Sequence, residues 1–145
     1  MIDALKLENQ FCFVVYALSR EIIKVYRPFL NEIGLTYTQY LVMLVLWEKD
    51  GIPLKDLGTS LNLDSGTLTP LLKKLEQSGH ILRKRDLKDE RNLIIHLTEK
   101  GKELIDKAES VPGEIRCKLP LKDEEIASLR EQIKDILRSL QNNPN

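Results

Sequence analysis

Between Leu54 and Leu97 the spacing of apolar residues changes once, from the three-and-four steps of a helix to the two-residue step of a strand. That order restricts the chain to small folds in which short helices precede a hairpin. Leu54, Leu57 and Leu61 predict an amphipathic helix of about two turns, with Pro53 at its first position after the Asp50-Gly51 turn. Asn62-Leu63-Asp64 breaks it, and Asp64 is placed to cap a second helix. There Leu68, Leu71, Leu72 and Leu75 lie at i, i+3, i+4 and i+7 before a terminating Gly79. Pro70 leaves two starts open: a helix from Ser65 with a loose first turn around Gly66, or a shorter helix capped by Thr69. Residues 82–85 and 93–97 then alternate, with Leu93, Ile95 and Leu97 on one face, around the polar segment Asp86 to Asn92. This reads as a β-hairpin with a long charged tip.

The flanking segments are helical by the same test. From Leu7 the apolar positions 7, 11, 14, 18, 22, 25 and 29 mark one face of a long helix ending around Pro28. Cys12, Tyr16, Ile23 and Tyr26 follow the same steps on an adjacent face, more apolar surface than packing on one side requires. After Gly34, Thr36-Tyr-Thr-Gln39 fits a capping box, and Tyr40 to Trp47 is expected to be a helix buried all round at the centre of the core. Thr98 is placed to cap a helix with Leu104, Ala108 and Val111 inward. Pro112, Gly113 and Pro120 interrupt the next segment, leaving Cys117 in or beside a short broken helix. The last helix, about 122–140, carries Ile126, Leu129, Ile133, Ile136, Leu137 and Leu140 as one stripe. Both terminal stripes need a partner once the middle helices fill the core, and a symmetric homodimer is the simplest solution. The expected fold class is mainly α with a small β-hairpin wing: one domain over 1–145, its central region 36–98 a winged helix-turn-helix, with dimerisation helices in 1–35 and 99–145.

Composition supports an ordinary globular chain, 42% hydrophobic and 30% charged. The longest apolar run, Tyr40 to Trp47, falls far short of the ~20 residues of a membrane span, and Met1-Ile-Asp-Ala lacks the basic start of a signal peptide. A cytoplasmic home without membrane contact is expected. Two cysteines and two scattered histidines, His80 and His96, show no zinc-site spacing, so no metal and no cofactor are expected. Ser-His-Asp sets, Gly-rich phosphate loops and paired carboxylates are not legible, which argues against an enzyme. His80 is expected to cap a helix end, His96 to decorate a strand, and Trp47 to sit in the core.

Charge is balanced overall at 22 basic and 22 acidic residues, but unevenly placed. Residues 53–97 carry eight basic side chains against six acidic, and the other two stretches are each net acidic by one. Charge alone reads as a solvated face. Its placement says more: Ser65, Thr67 and Thr69 sit at the exposed start of the helix after the turn, where small hydroxyls and free amides can meet phosphates and base edges, and Lys73 and Lys74 follow. Arg83 and Arg85 lie on the hairpin, with Asp89 and Arg91 near its tip, where Arg91 can enter a narrow minor groove of double-stranded DNA.

At these residues the sequence resembles the MarR family of dimeric winged-helix transcription factors. Asp89-Glu-Arg91 followed by Leu97-Thr98-Glu-Lys-Gly101 resembles the family's wing signature, and Leu63 to Glu76 its recognition helix. Gln10-Phe-Cys-Phe13, Tyr26-Arg-Pro28 and Leu35-Thr-Tyr-Thr-Gln-Tyr-Leu-Val42 are similar to the thiol-based organic-hydroperoxide-resistance branch, with Thr38 where that branch usually has proline. The resemblance implies a repressor that leaves an inverted-repeat operator when Cys12 is oxidised by organic hydroperoxide. It implies that Tyr26 and Tyr37 of the partner subunit bond to the Cys12 thiolate with Tyr16 nearby, and that Cys117 lies where a resolving cysteine is expected. A spare surface cysteine is the other reading of Cys117. Periodicity alone would make Cys12 an inert packing residue. Competing readings are a repressor released by a phenolic or other small ligand, and a thiol oxidoreductase.

Overall fold

The computed structural model describes residues 2–143. The outermost positions of the expected terminal segments, 1, 144 and 145, lie outside the described residues.

The first helix starts later and ends later than its apolar spacing predicts. Asn9 Nδ2 donates to the Asp3 carbonyl (2.8 Å), and Gln10 Nε2 donates to those of Ala4 (2.7 Å) and Lys6 (3.0 Å). These side chains wind the start into two 3-10 turns, Asp3–Leu5 and Leu7–Asn9, before α1 (Phe11–Glu32). Pro28 lies inside α1 and does not end it. The stop comes at Gly34 (φ +73°), where the Leu35 amide bonds the Leu30 carbonyl (3.0 Å) and the Gly34 amide that of Asn31 (3.2 Å). This is a Schellman closure with its two leucines buried.

Helix α2 (Tyr37–Glu48) begins at the expected box: Thr36 Oγ1 accepts from the Gln39 amide, and Gln39 Oε1 accepts from the Thr36 amide at 2.9 Å. Tyr40, Val42, Met43 and Leu46 are buried at the core's centre, but Leu44 is 40% exposed, so the helix is not covered all round. Trp47 is half-buried, its indole N–H donating to the Gly101 carbonyl (2.9 Å).

Pro53 is corrected in role. It is the N-cap of α3 (Leu54–Leu61) rather than its first helical residue, and with Ile52 it forms a short edge strand β1 (Ile52–Pro53) that periodicity does not reveal. After Asn62, in the left-handed region at φ 55°, α4 (Ser65–Gln77) leads through Gly79 (φ +82°) into β2 (Ile81–Arg85) and β3 (Leu93–Leu97). The antiparallel sheet has order β1-β3-β2, with Ile81 opposite Leu97, Arg85 opposite Leu93 and Ile52 opposite Ile95. Ile95 and Leu97 face the core as the alternation predicts.

Thr98 caps α5 (Glu99–Ala108) through the Gly101 amide. Helix α6 (Val111–Lys118) contains Cys117 and packs on α1, and α7 (Asp123–Asn142) follows Lys122. Leu104, Ala108, Val111 and Ile115 join the core. The stripe of α7 does not: Leu129, Ile133, Ile136, Leu137 and Leu140 are exposed, as are Phe11, Val14 and Leu18 on α1. His80 is buried, its Nδ1 within 2.8 Å of Ser78 Oγ, and its amide closes α4 on the Leu75 carbonyl (3.0 Å). Among the described residues no single helix is long and apolar enough to cross a membrane.

Candidate functional site

Asp64 starts α4 by accepting the Thr67 amide (2.7 Å), a bond that holds its carboxyl below the usual range. The helix therefore runs from Ser65, and Thr69 is not a cap: its Oγ1 donates to the Ser65 carbonyl at 2.7 Å. Pro70 has no amide to reach the Gly66 carbonyl, so the first turn of the helix lacks that one bond. Leu68, Leu72 and Leu75 are buried, leaving Ser65, Gly66, Thr67, Pro70, Lys73 and Lys74 facing outward.

A cleft of about 1040 Å³ runs between this helix and the wing. It brings together Ser65, Thr69, Arg83, Arg85 and Arg91, while Thr67, Lys73, Lys74 and Asp89 do not line it. Lys55, Thr59 and Asn62 complete one wall and were not singled out by sequence. Their i, i+4, i+7 polar spacing on α3, opposite Leu57, is the signal that marks them.

The arginines do different jobs. Arg83 is not a free cation. Its Nη2 pairs with Glu76 Oε1 (3.1 Å), its amide bonds Glu76 Oε2 (3.1 Å), and its Nε is buried without a partner. The pair ties the wing to α4 and lowers the Glu76 carboxyl, chiefly through the side-chain bond. Arg85 is exposed, with Nη1 3.5 Å from the Glu90 carbonyl. Arg91 is 89% exposed yet held by both oxygens of Asp89, Nε to Oδ1 and Nη2 to Oδ2, each 3.0 Å. Asp89 also accepts the Arg91 amide (3.1 Å), so it orients the guanidinium. That contact lowers the Asp89 carboxyl and raises Arg91.

A second cluster lies on α1 and α2. Tyr26 stacks at a tilt on Tyr37 (centroids 4.8 Å) and faces Tyr40 (5.9 Å), a residue expected only as core. Burial, then the neighbouring Tyr37 and Tyr40, push the Tyr26 phenol up to about 12, and burial raises the other two. All three are neutral O–H groups near neutral pH, able to donate. Cys12 and Cys117 are free, exposed thiols. Tyr16 lies one turn beyond Cys12 on α1, with the Arg20 guanidinium 5.6 Å from its ring centre. Tyr26 lies fourteen helical steps beyond Cys12 on α1, about 21 Å at ~1.5 Å per residue. A chain's own thiol cannot meet its own tyrosine cluster.

The family model described as transcriptional regulator SarA/Rot matches residues 24–108. An organic hydroperoxide resistance transcriptional regulator of Bacillus subtilis (strain 168) is 46% identical over 138 residues, covering 95% of this chain and 94% of that one. AbfR of Staphylococcus epidermidis, in its reduced form bound to DNA, superposes with a TM-score of 0.80 at 38% identity, over 97% of this chain and 96% of that one. The disulfide-formed AbfR structure gives 0.63 at 41% identity, over 94% and 93%. A MarR mutant from E. coli complexed with operator DNA shares the fold alone, at 22% identity and a TM-score of 0.78 over 86% and 91%. With the winged helix and the tyrosine cluster in place, the chain belongs to the SarA/Rot-type transcriptional regulators, in the organic-hydroperoxide-resistance branch of the MarR family.

Proposed function

We propose that the protein is a cytoplasmic, homodimeric repressor that holds an inverted-repeat DNA operator while Cys12 is reduced and releases it when an organic hydroperoxide oxidises that thiol. The position of Cys12 carries this reading: an exposed thiol on an apolar helix face without cover in its own chain, about 21 Å along α1 from Tyr26, whose cluster of neutral phenols a second copy can bring to it. Tyr26 and Tyr37 of one protomer donate to the partner's thiolate and stabilise its charge. The thiolate attacks the distal peroxide oxygen, the O–O bond breaks, and the alkoxide leaves as an alcohol after taking a proton, giving the sulfenic acid. Cys117 of the other subunit then condenses with it, releasing water and forming a disulfide.

Residues 36–98 serve as the reading head, and 1–35 with 99–145 as the dimerisation helices. Ser65, Thr67 and Thr69 face base edges and phosphates, Lys73, Lys74 and Arg85 meet phosphates, and Arg91 enters the minor groove. The oxidant is consumed once per thiol and no turnover is needed, so the protein is a switch and not an enzyme. The better superposition on reduced, DNA-bound AbfR than on its disulfide form, at similar identity, supports assigning the described conformation to the DNA-competent state.

A second reading has its own observation. A groove of about 530 Å³ lies between α2, α5 and the start of α6, lined by Tyr40, Leu44, Trp47 and Ile105 together with the carboxylates of Glu48, Asp106 and Glu109, and suits a small aromatic ligand without negative charge. DNA binding by wild type and Cys12→Ser, each with cumene hydroperoxide or with an uncharged phenol, separates the two. The redox reading expects peroxide to release wild type only; release of Cys12→Ser by either compound overturns it.

A further inference from the structure

The wing tip holds one apolar residue, and nothing in the fold uses it. Leu87 is fully exposed, the most exposed of the large hydrophobic side chains among the described residues. The loop that carries it is nevertheless built. The Asp86 amide bonds the Asn92 carbonyl (2.8 Å), Asp86 Oδ1 accepts the Lys88 amide (3.1 Å), and the Asn92 amide bonds the Asp89 carbonyl (2.9 Å). Asp86 and Asn92 thus close the hairpin, and the loop they close carries both Leu87 and Arg91.

Charge does not explain what this tip does. Residues 86–92 carry two basic side chains against three acidic, and one of the acids already neutralises Arg91. A net acidic loop is not drawn to phosphates. An exposed leucine and an outward guanidinium on one tip fit a different surface: the minor groove, whose negative potential takes the arginine and whose deoxyribose walls and unstacked base steps take an apolar wedge.

We propose that Leu87 is the apolar wedge of the wing, packing into the minor groove beside Arg91 and setting the operator's preference for a deformable step there. This rests on the DNA-binding reading above. The contact removes an otherwise wholly hydrated side chain from water without neutralising a phosphate, so it adds affinity without adding salt dependence.

The test uses the full-length dimer and a duplex that wild type selects from a random-sequence pool, with binding followed across a salt series. Leu87→Ser weakens binding about tenfold, equivalent to about 1.4 kcal/mol, with the salt slope and melting temperature unchanged. Leu87→Met keeps wild-type affinity, and Lys73→Ala, which removes a phosphate contact, instead flattens the slope by about one. Leu87→Ser binding like wild type, or a loss accompanied by a flatter slope, overturns the wedge. A pool from which wild type enriches no sequence overturns the DNA-binding reading itself.

Discussion

Arg83 and Arg91 show how little residue type alone says about role. Both are wing arginines paired with a carboxylate, but Arg83 is folded onto Glu76 beneath the wing while Arg91 is held outward by Asp89. The first pair joins two elements; the second stays within one loop and orients a charge. Arg91→Ala is therefore expected to lower operator affinity about tenfold or more while leaving the melting temperature unchanged. Arg83→Ala is expected to lower the melting temperature, because it strips Glu76 of its partner and unties the wing from α4. Calorimetry beside a DNA titration separates the two; equal melting temperatures would remove the strut assignment. The Arg83–Glu76 pair was not legible in the sequence. Its partners are seven residues apart across a glycine turn, outside the i+3 and i+4 spacings by which sequence announces ion pairs. The proposed Cys12, Tyr26 and Tyr37 set rests on resemblance, since periodicity puts Cys12 and Tyr26 on an apolar face, the capping box accounts for the turn that holds Tyr37, and neither says anything of thiol chemistry.

At the scale of elements, boundaries marked by a capping side chain or a terminating glycine were readable and those without such a signal were not. Thr36, Asp64 and Thr98 each cap where their spacing predicts, because the accepting oxygen and the amide it serves are set by local geometry. Strand β1 escaped because two residues ending in proline carry no alternation. The continuation of α1 past Pro28 escaped because a proline inside a helix is tolerated when packing holds it. His80 sits at the junction of α4, β2 and α5, buried, with Lys100 close by. Burial, then the Lys100 charge, lowers its imidazole below the ordinary 6.5. Below that pH the unfolded chain takes up a proton that the folded chain resists, so stability is full above 6.5 and declines as pH falls through it. A urea midpoint measured against pH is expected to fall below 6.5 in wild type and to lose that component in His80→Gln; identical profiles would place the acid sensitivity elsewhere.

At the scale of the whole molecule, the stripes of α1 and α7 are apolar and exposed, and the proposed dimer would cover them. Ile133→Asp is expected to shift sedimentation toward monomer and to weaken operator binding, since an inverted repeat needs two reading heads at fixed separation. An intact dimer would take α7 out of the interface. Oxidation is expected to make that dimer covalent. Wild type treated with cumene hydroperoxide should run as a dimer on a non-reducing gel with a Cys12 to Cys117 peptide, and Cys117→Ser should stop at the sulfenic acid or over-oxidised forms. A covalent dimer persisting in Cys117→Ser would remove it as the resolving residue.

That the oxidation state of Cys12 sets DNA occupancy can be checked by measuring both in one sample. Wild type bound to its operator is titrated with cumene hydroperoxide, and at each step the fraction bound and the fraction of Cys12 remaining as free thiol, by mass spectrometry, are read together. The two are expected to fall in step, and reduction with dithiothreitol to restore both. DNA released while Cys12 remains a thiol, or DNA retained with Cys12 fully oxidised, would contradict the claim.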